Sequence, residues 1–416
     1  MAYQDRIIDN ELKDRLRTAG AVVLEGPKAV GKTETAIQQA KSIVRLDVDL
    51  AVRQAAAVDP GLVLGGAIPR LIDEWQVVPA IWNAVRHEAD ARKAPGQFIL
   101  TGSAVPADDE TRHTGAGRIV RLRLRPMSLF ETGHSSGDVS LEALLNGGPA
   151  RALNSGMTIQ GVAERLCQGG WPPFASLSVS DASTALSDYL VEVARTDIRR
   201  VDGVARNPAR VERVLRSLAR HVATEVALTT IAADVGGPDG PMLPETAGEY
   251  LGALERLMLV ENQEAWAPQL RSRSRLRTAP KRHFVDPALA AAAHGLLPDA
   301  LLADLNYMGL LFESLVIRDL RVYAQPRRAT VRHYRDNTGL EVDAILELRS
   351  GRWAAIEIKL SPSQVDEGAA NLHRFLTRVD TSKCGDPLFL GVVTSTGPAY
   401  TRDDGVHVLP IGTLGP

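Results

Sequence analysis

The chain has 416 residues, 44% hydrophobic and 24% charged, which supports about two to four packed domains and excludes a disordered or fibrous protein. A formal net charge of −2 excludes a globally basic nucleic-acid binder, so any such surface has to be local. Two cysteines, Cys167 and Cys384, cannot build a disulfide framework or a structural zinc site, and neither a signal peptide nor a membrane-length apolar run is present, so a cytoplasmic protein without a membrane partner is expected.

The first informative stretch is VVLEGPKAVGKTETAI, residues 22–37. An apolar, β-branched run at 21–25 reads as a buried parallel strand, and good helix formers follow Thr33. Between them stands G-x-x-x-x-G-K-T: Gly26, Pro27, Lys28, Ala29, Val30, Gly31, Lys32 and Thr33, followed by Glu34. Glycines let such a loop turn its N–H groups inward, and the helix N-terminus adds partial positive charge. Residues 26–34 are therefore the expected cradle for ATP, with Lys32 reaching the β- and γ-phosphates and the Thr33 hydroxyl ligating Mg²⁺. The competing account, a chance strand–turn–helix, is disfavoured because motif and context agree.

Further strands are expected at 44–49, 70–75, 97–103 and 118–125, alternating with helices, which predicts an α/β domain with a parallel sheet. LIDEWQ puts Asp73 and Glu74 at a strand end. Asp73 suits a water-mediated hold on Mg²⁺, and Glu74 suits orienting or deprotonating an attacking water. Strand-end acids also serve solvation; the phosphate loop roughly forty residues upstream is what ties this pair to one site. Thr101, in FILTGS, could sense a γ-phosphate or simply finish a polar strand end. Arg118 follows a flexible Gly-Ala-Gly, suited to reaching a phosphate of its own or a neighbouring subunit, or to a structural ion pair.

GPKAVGKT, RLIDEWQVVPAIW, FILTGSA, GAGRIVRLRLRPMSL and GGWP (169–172) together resemble a bacterial and archaeal group of predicted AAA+ superfamily ATPases, over most of the chain. The resemblance implies an AAA+ type ATPase domain with ATP and Mg²⁺ at Lys32, Thr33, Asp73 and Glu74, and a C-terminal restriction-endonuclease-like domain. AAA+ relatives often form rings, so a homo-oligomer is an open expectation that nothing in the sequence demonstrates.

The expected domains are an ATPase core at 1–133, a linker or lid at 134–184, a winged-helix-like unit at 185–295 and a nuclease-like α/β domain at 296–416. Residues 134–150 are small and polar at the edges, which suits a linker or surface insertion. Three helical patterns between 209 and 260, then strand-like ENQEAWAP, outline a winged helix, although three helices also make a plain packing module. The run RSRSRLRTAPKRH (271–283) carries Arg271, Arg273, Arg275 and Arg277, with Lys281 and Arg282 beyond them. Period-two arginines on a hairpin would follow a DNA backbone; a solvated arginine-rich hairpin is the competing account. Interleaved aromatics for stacking single strands are missing.

The last informative stretch is 334–361. Read with period two, Ile356, Ile358 and Leu360 point one way, and Glu357 and Lys359 the other. With Asp343 on the preceding strand, this resembles the PD-(D/E)xK nuclease pattern, in which carboxylates hold Mg²⁺ and the lysine polarises the water or the scissile phosphate. Both carboxylates must then share a face, which needs an odd-length loop. Arg349-Ser350-Gly351 supplies one, setting Asp343 opposite Glu357 and leaving Gly351 for the left-handed position. Asp343 and Glu357 are the expected ligands and, with Lys359, the expected catalytic groups. Glu313, on the helix before, is either a further acidic ligand or a surface residue. Glu-x-Lys alone would be an exposed charged strand, and nuclease-like domains also serve as binding platforms. A non-cutting, nucleotide-controlled DNA-binding or signalling switch therefore stands beside the ATP-controlled nuclease.

Overall fold

A computed structural model describes residues 3–102, 115–153, 156–201, 203–236, 240–268 and 279–416. Arg271, Arg273, Arg275 and Arg277 lie outside the described residues. The chain forms two compact units. Unit 1 is Met1–Arg125, Thr196–Ala205 and Ala253–Leu259; unit 2 is Pro126–Arg195, Arg206–Gly252 and Val260–Pro416.

Unit 1 is built on five parallel strands, β1 (Ala21–Glu25), β2 (Ser42–Arg45), β3 (Arg70–Asp73), β4 (Phe98–Gly102) and β5 (Ile119–Arg123), in the order β2-β3-β4-β1-β5. Alternate residues serve opposite faces. Val23, Ile72, Phe98 and Leu100 pack on Trp75, Ile81, Trp82 and Val85, while Val22, Leu24, Leu71 and Ile99 pack on Leu12, Leu16 and Ala36. Both faces of the central strands are covered, which is why β1 and β4 read as continuous apolar runs. Because β4 is inserted between β1 and β3, Thr101 lies beside both Leu24 and Asp73. The C-terminal ends of three strands thus meet at the edge where a parallel sheet binds ligands.

In unit 2 a short strand β6 (Val139–Ser140) precedes a six-stranded sheet. This sheet contains β7 (Thr330–Arg335), β8 (Glu341–Glu347), β9 (Trp353–Lys359), β10 (Leu390–Thr394), β11 (Tyr400–Thr401) and β12 (His407–Pro410), in the order β11-β12-β10-β9-β8-β7. Strands β7 to β9 are antiparallel, and β9, β10 and β12 run parallel. The helix Leu305–Ala324 precedes β7, and Val365–Arg378 crosses from β9 to β10. Val365, Ala369, Leu372 and Phe375 recur at helical spacing and pack with Ile345, Trp353, Ala355 and Val392. Trp266 joins them, its ring 5.1 Å from that of Trp353. Trp353 is wholly buried, and its indole N–H donates to the Cys384 and Gly385 carbonyls. Trp353→Ala should therefore cost about 3–5 kcal/mol, read as a lowered urea midpoint of unit 2.

Residues 134–150, expected as a linker or surface insertion, belong to unit 2. Strand β6 pairs in parallel with β13 (Leu414–Gly415), and Leu141, Leu144 and Leu145 are buried. The small polar residues that suggested exposure make specific bonds instead: Ser135 Oγ donates to the Leu414 carbonyl and Ser140 Oγ to that of Pro416, both at 2.6 Å. GGWP also has a local reason. A Cβ on Gly170 would lie 2.1 Å from the Met127 carbonyl oxygen, and the Gly170 amide donates to Asp286.

Helices Pro208–Arg220, Leu228–Val235 and Pro244–Arg256 fall close to the three helical patterns. Antiparallel pairings of Val260 with Phe284, Gln263 with Lys281 and Thr224 with Arg282 accompany them.

Candidate functional site

In unit 1, the loop after β1 turns through left-handed conformations at Ala29 (φ 63°) and Gly31 (φ 97°) before the helix Lys32–Ile37 begins. Gly26 is a forced glycine, since a Cβ there would meet the Leu124 carbonyl oxygen at 2.2 Å. Lys32 is buried, and its ammonium donates to the Gly26 and Pro27 carbonyls at 3.0 and 2.8 Å, inside the loop. Burial pulls its pKa down to about 8, against Glu74 and Asp73, which act to raise it. Thr33 Oγ1 donates to Asp73 Oδ1 at 2.8 Å, and Thr101 Oγ1 donates to the same oxygen. Thr33 and Asp73, the expected ligands of a nucleotide-bound cation, are thus in contact, and Thr101 bonds to Asp73 as well. Glu74 follows Asp73 in a left-handed conformation (φ 53°) and accepts from the Gln76 side chain. Burial raises the Glu74 pKa, with Lys32 opposing.

Arg118 does not join this site. Ile119 is in register with Ala21 at the start of β1, so Arg118 stands at the opposite edge of the sheet from the phosphate loop, about 16 Å along the strand direction. Its guanidinium pairs with Asp90 at 2.6 Å. Lys28 is exposed and lies 3.5 Å from Asp197. Sequence reasoning missed Arg6, which is buried and donates to the carbonyls of Val30 and Arg125, bracing the phosphate loop from behind.

In unit 2, the loop between β8 and β9 has three residues, closed by Leu348 with Arg352, and Gly351 is left-handed at φ 81°. The ladder runs from Glu347/Trp353 to Ala344/Ile356, the pair immediately before Asp343 and Glu357. There Asp343 Oδ2 takes the Ile358 amide at 2.8 Å, and both carboxylates line one cleft of about 700 Å³. Lys359 lines it too, 3.3 Å from Glu357 Oε2 and 3.3 Å from Glu367 Oε1. Glu357 is buried, and its other oxygen accepts from Asn371 at 2.9 Å. Burial and the facing Asp343 carboxylate push Glu357 up to about 8. Lys359 is also raised: burial opposes this, but Glu357, Asp343 and Glu367 favour its charge.

Glu313 is turned into the same cleft, where burial pushes it up to about 8 against the pull of Lys281. Lys281 is the main departure from the sequence reading. It does not belong to a basic surface: it is 3% exposed, and its ammonium sits 2.7 Å from Glu313, 2.5 Å from Glu341 and 3.5 Å from Asp343. Glu341 was legible by period two from Asp343; Lys281 and Asn371 come from distant segments and were not. Among the described residues, no three His, Cys, Asp or Glu side chains form a ready-made metal cage. Two carboxylates with waters are nevertheless a sufficient oxygen set for Mg²⁺.

Residues 18–133 match the model of a family described as an AAA domain. Together with the loop geometry and the strand order, this supports an AAA-like P-loop fold for the N-terminal segment, a fold class in which ATP with Mg²⁺ is the usual ligand. Residues 159–300 and 308–414 match two families described as domains of unknown function, DUF8612 and DUF4143. The chain is 26% identical over 366 residues to uncharacterized protein Rv2008c of Mycobacterium tuberculosis, covering 86% of this chain and 74% of that protein. The uncharacterized protein Mb2031c of Mycobacterium bovis gives the same figures. Among solved structures, the Walker-type ATPase PABY2304 of Pyrococcus abyssi is similar at 14% identity and a TM-score of 0.44, over 70% of this chain and 96% of that one. Among the described residues, no helix is long and apolar enough to cross a membrane.

Proposed function

We propose that this chain binds and hydrolyses ATP, and that its nucleotide state controls a C-terminal, nuclease-like domain that acts on DNA. The observation that carries the ATPase half is the convergence of Thr33 and Thr101 on one oxygen of Asp73, beside the buried Lys32. Lys32 exchanges the loop carbonyls for the β- and γ-phosphate oxygens, the inward amides of the loop hold the rest, and Glu74 orients the attacking water and takes its proton. Thr33 and Asp73 offer hard oxygen donors that fit Mg²⁺, as do Asp343 and Glu357. Bound there, the ion supplies charge neutralisation at the phosphates and Lewis acidity at the second site.

In the C-terminal cleft, Asp343 and Glu357 follow the last ladder pair, Ala344 with Ile356, and line one cavity together with Lys359. This pairing supports phosphodiester hydrolysis, with Lys359 placing and polarising the water or the scissile phosphate. Helix, three antiparallel strands, helix and parallel strand form the order that a PD-(D/E)xK-like reading calls for. DNA contact rests on the arginines at 271–277 and on the three-helix segment read as winged-helix-like. Control by nucleotide is supported by connectivity, because the backbone passes between units at 125, 195, 205, 252 and 259.

A second reading, a nucleotide-controlled switch that binds DNA or a protein without cutting, is favoured by Lys281, whose ammonium already neutralises part of the acidic cleft. Plasmid incubated with the pure chain, Mg²⁺ or Mn²⁺ and ATP separates the two. Nicking that is absent from Glu357→Ala supports the nuclease; intact plasmid with retained ATPase activity supports the switch.

A further inference from the structure

Lys281 reaches across to a different helix and strand. Its ammonium is close to Glu313 from the helix Leu305–Ala324 and to Glu341 from β8, with Asp343 of β8 a longer ion pair at 3.5 Å. Its side chain is 4% exposed and that of Glu313 is 13% exposed, so the cluster is shielded from bulk water. A buried ammonium among carboxylates holds only when charge and hydrogen bonds are both satisfied, and here the ammonium is held from three sides. The backbone fixes it as well, since Lys281 and Gln263 exchange both amide bonds, at 3.0 and 2.9 Å.

The second half of the cleft is organised separately. Asp343 Oδ1 faces Lys281, while Oδ2 is on the Ile358 amide beside Glu357. Lys359 serves Glu357 and Glu367. Asp343 is therefore shared between an ammonium-filled half and the half proposed above to take a divalent cation.

We propose that Lys281 is an internal cation that stands in for a divalent ion among Glu313, Glu341 and Asp343, so that the cleft admits one fewer metal than its carboxylates could hold. This inference rests on the reading of Asp343 and Glu357 as a cation site, and it makes Lys281 a residue that sets metal number. Removing the ammonium without removing side-chain bulk leaves Glu313 and Glu341 facing the vacated point with Asp343 farther off; they form no ready-made cage as they stand, and they are hard oxygen donors that close in on a divalent ion.

The test is Mn²⁺ binding to the full-length protein, counted by calorimetry and by the electron paramagnetic resonance of unbound Mn²⁺. Lys281→Met should take up one more Mn²⁺ per chain than the wild type. That extra ion should be lost again in Lys281→Met/Glu313→Gln, whereas Lys281→Arg should keep the wild-type number. Equal numbers in wild type and Lys281→Met overturn the inference. The underlying cation site has its own readout: wild type must bind an Mn²⁺ that Glu357→Gln does not, and failure there removes the site whatever Lys281→Met does. Should Lys281→Met not fold, Lys281→Gln, which removes the ammonium but keeps a polar side chain at the buried position and leaves all three carboxylates in place, faces the same criterion.

Discussion

Lys32→Ala is expected to weaken ATP binding by about a hundredfold or more, while Glu74→Gln keeps wild-type binding and slows hydrolysis by about a hundredfold. The two effects separate because the residues act at different stages. Lys32 is the buried cation of the loop, and hydrogen bonds from such a group to phosphate oxygens are worth about 1.5–3 kcal/mol each. Glu74 stands beyond the cation ligand Asp73, so replacing its carboxylate by an amide spares the phosphate contacts and removes the base. A pH signature accompanies this. Burial holds Lys32 at about 8, and phosphates that contact it favour the charged form, so binding above that pH requires proton uptake. Affinity should be level below about pH 8 and fall by up to about tenfold per unit above it. Lys32→Ala should lose that dependence. A fluorescent ATP analogue titrated between pH 7 and 9.5 reads both effects; unchanged affinity in Lys32→Ala would remove the phosphate-loop assignment.

The parts of the structure that were legible in the sequence share a physical cause. The central strands β1 and β4 are covered on both faces of the parallel sheet, so each is an almost uninterrupted apolar run, whereas the edge strands β2 and β5 carry serine or arginine. The three-residue loop and the register up to Ala344 and Ile356 were legible because side-chain alternation and an odd-length loop fix register locally. Where the reading failed or stayed open, the deciding partner was remote. Arg118 could have reached a phosphate of its own chain or formed a structural ion pair; the second is seen, with Asp90, on a helix 28 positions earlier, holding it at the end of the sheet away from the phosphate loop. Residues 134–150 looked solvated, yet Ser135 and Ser140 bond carbonyls 279 and 276 positions away. Lys281 belonged by composition to a basic run, and only the fold reveals that Glu313, Glu341 and Asp343 surround it. Arg6 carries no local signal at all; its role behind the phosphate loop follows from the helix Ile8–Leu16 packing against β1 and β5.

Metal-dependent cleavage of DNA is expected to disappear, by about 10²–10⁴-fold, in Asp343→Asn, Glu357→Gln and Lys359→Met, while ATP hydrolysis continues in all three. The substitutions are chosen for what each side chain touches. Asp343 Oδ2 accepts from the Ile358 amide, so asparagine keeps an oxygen for that buried donor, whereas alanine would strand it. Glu357 accepts from Asn371, a contact that glutamine can retain while losing the charge a divalent ion requires. Lys359 spans Glu357 and Glu367, and methionine keeps its length without the ammonium. Near-wild-type thermal midpoints should therefore accompany lost cleavage, which separates chemistry from folding. Proton competition adds a direction that a merely structural cluster would not show. Burial and Asp343 push Glu357 up to about 8, so a cation must displace a proton at neutral pH, and cleavage should rise with pH from about 6 toward 8. Cleavage that persists in Glu357→Gln, or that is indifferent to chelation of divalent ions, would show that the activity arises elsewhere and that the Asp343–Glu357 face is not a cation site. Wild-type protein that binds Mn²⁺ at this face yet leaves every tested duplex intact would instead select the non-cutting switch, with the metal serving to hold the cleft in its binding geometry.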